Sequence, residues 1–183
     1  MNLRDQSSIP TLARRLGDVP HVSGLAIRLA RASGAGERLP EWLMRVAVQR
    51  GARHYDRDFD PALPPDYPAI PDEEIAIALC LEQHPYNLDQ LRVAAQLLSS
   101  RRIDPARLRH LAVQERCEPV LLHIATLAAK YAPNDEPWAS LRKNLQPRPV
   151  PRSDVLPHWT RLVSHTGLTR SGSGRTDWLR CDE

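Results

Sequence analysis

Arg116 and His123 are the side chains of this chain with the most direct chemistry, and six residues separate them. An imidazole can take or give a proton near neutral pH, and a guanidinium can hold developing phosphate charge. Cys80 and His84 stand at i and i+4, the spacing that puts two metal ligands on one helical face. Cys117, His110 and His123 would complete a set only if the helices stacked suitably. Zinc takes four ligands, and only this one pair is tight, so no metal or other cofactor is expected. Cys80 lies inside an apolar run, where a small core residue is the simpler reading.

Two further patterns weaken on inspection. Asp56, Asp58 and Asp60 alternate as in a calcium loop, yet Pro61 and Tyr67 stand where such a loop needs glycine and glutamate. They read as an acidic solvated connector. Ser171-Gly172-Ser173-Gly174-Arg175-Thr176 is glycine-rich but follows an irregular tail and has no phosphate-loop lysine. It reads as a hinge before Trp178. No Gly-x-Ser-x-Gly elbow, dinucleotide fingerprint or His-Glu-x-x-His occurs.

The elements that would position these residues are helices. From Asp72 to Leu145 the apolar spacing predicts five helices in succession. Asp72-Glu73-Glu74 places negative charge at a helix N-terminus, where the peptide dipoles favour it. Ile75 to Leu81 is apolar without interruption, the mark of a helix buried all round. Asn87 caps the next helix, and Asp104-Pro105 and Glu118-Pro119 open two more. Asn134 starts the last, with Trp138, Leu141 and Leu145 on one stripe. Upstream, helices are expected near Thr11–Leu16, Val22–Ala32 and Pro40–His54. The fold class is therefore all-α, as a multi-helix bundle or a short array of stacked hairpins with an extended C-terminal tail.

Four regions follow: basic helices over 1–54, a proline-rich acidic connector over 55–71, a helical core over 72–146, and a tail over 147–183. The connector holds five prolines, which exclude a helix. The tail loses all periodicity but keeps Trp159 and Trp178. Burying one such ring contributes on the order of 2–3 kcal/mol, so the tail should dock on its own body or on another chain. No apolar run approaches membrane-spanning length, and the start Met1-Asn2-Leu3-Arg4 lacks a signal peptide, so the cytoplasm is expected. The basic residues are 23 Arg and 2 Lys, a bias that fits a GC-rich bacterial genome. Residues 1–54 carry nine basic and four acidic side chains, a basic third that suits nucleic acid or an acidic partner.

Two resemblances bear on function. Thr11-Leu12-Ala13-Arg14-Arg15-Leu16-Gly17 followed by Val22-Ser23-Gly24-Leu25 resembles the start of a DNA-binding helix-turn-helix. That likeness implies phosphate contacts from Arg14 and Arg15 and groove contacts from Arg28 and Arg31. The Arg116–His123 spacing resembles that of helical ribonucleases of the HEPN class, which would make His123 the acid or base; Cys117 departs from the polar residue usual there. The reading preferred over both is a non-enzymatic bacterial protein-interaction module, such as an accessory or antitoxin-like partner. Trp159, Trp178 and Leu179 would contact its protein partner.

Overall fold

The structure, a computed structural model, describes residues 23–34, 38–52, 70–81, 87–145, 158, 162–166, 175–178 and 180–181. The described residues form α1 (Gly24–Ser33), α2 (Leu39–Gln49), α3 (Asp72–Leu79), α4 (Leu88–Leu97), α5 (Pro105–Gln114), α6 (Glu118–Tyr131) and α7 (Glu136–Asn144), followed by strands β1 (Val163–Thr166) and β2 (Arg175–Trp178). The fold is an all-α multi-helix bundle with a small ribbon at its C-terminal end. No helix among the described residues is long and apolar enough to cross a membrane.

Local chemistry starts these helices where short polar side chains and prolines stand. Ser23 Oγ accepts from the Ala26 amide at 2.9 Å and opens α1. Asn87 Oδ1 accepts from the Asp89 amide at 2.8 Å, and Asp104 Oδ1 from the Ala106 amide at 2.9 Å. Each side chain satisfies an amide that the first turn leaves without an intrahelical partner. Pro105 and Pro119 sit in the first turns of α5 and α6, where the missing N–H costs nothing.

Helix α3 is the axis of the bundle. Every one of its residues is buried, and it packs against α1, α2, α4 and α5. The unbroken apolar run from Ile75 to Leu81 has no solvent face to present, so only a central position suits it. Helix α2 turns Trp42, Leu43, Val46, Ala47 and Val48 inward. Helix α6 packs on α5, α7 and β2. The stacked-hairpin alternative describes α3 on α5, but α3 also gathers α1 and α2, and this radial packing makes a bundle.

Several boundaries differ from the sequence expectation. Helix α2 stops at Gln49, short of His54, because Gly51 takes φ 96° and the Ala52 amide turns back to the Ala47 carbonyl at 3.0 Å. Helix α7 begins at Glu136 with Asp135 before it, one residue beyond the expected Asn134. The helix near Thr11–Leu16 and most of the acidic connector, Asp56, Asp58 and Asp60 included, lie outside the described residues.

The tail is not simply extended. β1 and β2 pair antiparallel, with Val163 opposite Trp178 and Thr166 opposite Arg175. The four-residue strands are too short to show a two-residue alternation, which is why the sequence pattern missed them. Leu162, Val163 and Trp178 belong to the same buried cluster as the helices. Trp178 stacks edge-on against Trp138 of α7, with ring centroids 5.8 Å apart and planes at 72°. This T-shaped geometry sets the positive edge of one ring on the negative face of the other. The ribbon therefore completes the core, and the Trp178 ring is spent on the chain's own α7.

Truncating Trp178 to alanine should cost about 3–5 kcal/mol, as for other large aromatic residues removed from cores. Urea denaturation of the variant measures it, and a loss below about 1 kcal/mol would show that the ribbon does not share the helical core. A second variant probes the turn between α5 and α6. There the Cys117 amide returns to the Ala112 carbonyl at 2.9 Å, as at the end of α2, but the left-handed position is Arg116 at φ 56°. Glycine reaches this region freely whereas a side chain is strained by about 1 kcal/mol, so Arg116→Gly should raise stability by roughly that amount. Arg116→Ala keeps the strain and should change little; equal stabilisation by both variants would refute the strain account.

Candidate binding cleft

The polar groups that shape the site begin at the N-terminus of α3. Asp72, Glu73 and Glu74 are all buried, and each is matched by a partner from another segment. Asp72 Oδ1 accepts from Arg50 Nη1 at 2.6 Å, and its Oδ2 accepts from Arg102 Nε at 2.8 Å. Arg102 also donates through Nη2 to the Arg50 carbonyl at 2.8 Å. Glu73 Oε1 accepts from the Asp104 amide at 2.6 Å. Glu74 meets Arg28 of α1 at 2.6 Å and Arg107 of α5 at 3.1 Å. Buried carboxylates are tolerated only when paired, and these are paired with the C-terminus of α2, the turn after α4, and helices α1 and α5.

One consequence is electrostatic. The Arg102 guanidinium is held above its usual pKa, chiefly by its hydrogen bond to Asp72, against the opposing effect of partial burial. The charge of Asp72 and contact with Cys181 add to the rise. Cys181 thus brings its thiol beside a guanidinium whose geometry α3 fixes, and its Sγ also donates to the Arg50 carbonyl at 3.1 Å.

This arrangement anchors the end of the tail over a cleft of about 580 Å³. The walls come from three places: Ser99, Ser100 and Arg101 after α4; Tyr131 to Asp135 between α6 and α7; and Arg180 with Cys181 after β2. Residues 180 and 181 are held by three further contacts. Gln96 Nε2 donates to the Arg180 carbonyl at 2.7 Å, the Cys181 amide donates to Ser99 Oγ at 3.0 Å, and Arg180 Nη1 reaches Asp135 Oδ2 at 3.2 Å. The lining offers two guanidiniums, one carboxylate, an amide, hydroxyls and a tyrosine ring around Ala132 and Pro133. Such a mixture can orient a polar ligand on a partly apolar floor.

The residues singled out by sequence are dispersed over the fold. Arg116 is exposed in the α5–α6 turn, and His123 is half-buried in the second turn of α6. Arg28 is bound to Glu74, while Arg31 is exposed in the last turn of α1. Cys80 is fully buried, and Cys117 Sγ lies 3.9 Å from its carbonyl, so these two thiols are core neighbours. Trp178 is buried against Trp138; a ring only 2% exposed offers no face to a partner. Arg14, Arg15, His84, Trp159 and Leu179 lie outside the described residues.

The cleft residues were missed because three separate segments supply them and no sequence spacing links those segments. The nearest signal was the polar run Ser99-Ser100-Arg101-Arg102 between two apolar stripes, which reads as an ordinary turn.

Fold and site together define an all-α bundle with a polar cleft, walled on one side by Arg180 and Cys181 after the C-terminal ribbon. No protein-family model, curated protein or solved structure matches this chain. Its function must therefore be argued from its own geometry.

The pairing around Asp72 makes a sharp prediction. Arg50 and Asp72 side chains are 8% and 7% exposed, so Asp72→Asn removes the carboxylate charge 2.6 Å from a buried guanidinium. That should cost about 3–5 kcal/mol. Arg102→Met, which removes the 48% exposed partner, should cost less by chemical denaturation. The reverse order would show that Arg50 is not the buried member of the network.

Proposed function

We propose that this chain is a non-enzymatic protein-interaction module that receives a segment of a partner protein in the tail-walled cleft. The observation that carries the reading is the cleft itself: about 580 Å³, open at the surface, with its polar groups held in place by the folded body. The three carboxylates of α3 support it, since each is committed to tethering another segment. The composition, with 23 Arg against 2 Lys, fits a GC-rich bacterial genome, and within it we place the chain as an accessory or antitoxin-like partner in the cytoplasm. That placement rests on analogy with how small helical proteins are used.

The test compares the wild-type protein with Arg101→Glu. Arg101 lines the cleft and is exposed, and the thermal melt of the variant checks that the fold is kept. A partner recovered with the wild type from native extract, identified and then purified, should bind the variant at least about tenfold more weakly, a difference near 1.4 kcal/mol. Equal binding by both proteins would overturn the reading. So would submicromolar affinity for duplex DNA or RNA that falls steeply with salt, the signature of phosphate contacts as the main association.

A further inference from the structure

We infer that the occupant of the cleft is an acidic peptide segment, and that Arg180 receives its carboxylate by exchange with Asp135. This rests on the docking reading above and adds the chemistry of the occupant. The cleft has two kinds of ion pair nearby, and they differ in how firmly they are set. Arg50 and Asp72 are both buried, lie 2.6 Å apart, and Arg102 holds the second carboxylate oxygen. Arg180 and Asp135 share one contact of 3.2 Å, with side chains 58% and 19% exposed. A single, solvent-side contact of that kind contributes at most about 1 kcal/mol. A guanidinium carries five N–H donors in a fork that fits a carboxylate bidentately, and this geometry uses one of them. An incoming carboxylate can therefore take the fork and replace Asp135.

The lining carries two guanidiniums, Arg101 and Arg180, and one carboxylate, Asp135, and the Asn134 amide can both donate and accept. The indole N–H groups of Trp138 and Trp178 are both buried and have no acceptor among the described residues. Trp138 follows Asp135 by three residues and Trp178 precedes Arg180 by two, so both donors belong to the segments that form the pair. The volume falls within the roughly 300–1,000 Å³ of small-ligand clefts, which suits a few peptide residues. Tyr131, Ala132 and Pro133 give the apolar floor that a peptide's carbon atoms need.

The experiment is a calorimetric titration of the full chain with N-acetyl-tetraglutamate, its tetraglutamine counterpart and inorganic phosphate, each alone. Location is read by the rate at which 4,4′-dithiodipyridine labels Cys181; Cys80 and Cys117 are fully buried and stay silent. Tetraglutamate should bind at submillimolar Kd and slow Cys181 labelling, while tetraglutamine should not bind. Arg180→Gln should weaken binding by about tenfold, as expected for a charge-assisted pair, with Arg180→Lys between. Asp135→Asn should tighten it by about 2–5-fold, because the competing carboxylate is gone. A purely structural Arg180–Asp135 pair predicts the opposite sign. Absence of tetraglutamate binding, tighter binding of phosphate than of peptide, or weaker binding by Asp135→Asn would each overturn the inference. If tetraglutamate fails while a purified partner still depends on Arg101, the docking reading stands and only this assignment falls.

Discussion

The constraint on which this structure depends is the burial of three consecutive carboxylates at the start of α3. Asp72, Glu73 and Glu74 cannot face water, because the helix that carries them is enclosed on every side. A charged carboxylate taken out of water without a partner is costly by several kcal/mol, so the surrounding segments must converge on it. Arg28, Arg50, Arg102 and Arg107 and the amide of Asp104 do so from three separate stretches of the chain. The helix N-terminus adds its own favourable field for negative charge. Apolar burial gives the bundle most of its stability, but it is non-directional, and the carboxylates fix which segment stands beside which.

The cleft inherits its geometry from that hub. Arg102, fixed by Asp72, turns to the Arg50 carbonyl, and Cys181 donates to the same carbonyl. Trp178, three residues before Cys181, is locked against Trp138. The two anchors leave Arg180 between them with its backbone carbonyl held by Gln96 and its side chain turned to Asp135. A residue whose backbone is held this way would lose little freedom on taking up a ligand, which is the general advantage of preorganisation.

Much of the helical fold was legible in the sequence, for identifiable reasons. The caps at Asn87 and Asp104 and the prolines at the first turns are local signals, and local chemistry decides them. The uninterrupted run of α3 announced its central position. The ribbon was not legible, since four residues per strand leave no pattern to count. The cleft was not legible either, because its walls are turns brought together only by tertiary packing. The chemical spacings fall on unlike elements: Arg116 lies in a turn and His123 on the following helix, while Cys80 is sealed in the core. Spacing along a sequence implies proximity only within one continuous element.

Arg116 shows the limit of that reasoning from the other side. A left-handed turn position strongly favours glycine, and the end of α2 uses Gly51 for the same backbone return. At the end of α5 the chain keeps an exposed arginine and accepts about 1 kcal/mol of strain. Neither the α3 hub nor the cleft employs this side chain. Two turns of similar geometry thus carry residues of opposite suitability, one selected by the backbone and one in spite of it. The backbone therefore accounts for Gly51, and nothing among the described residues accounts for an arginine at the corresponding turn.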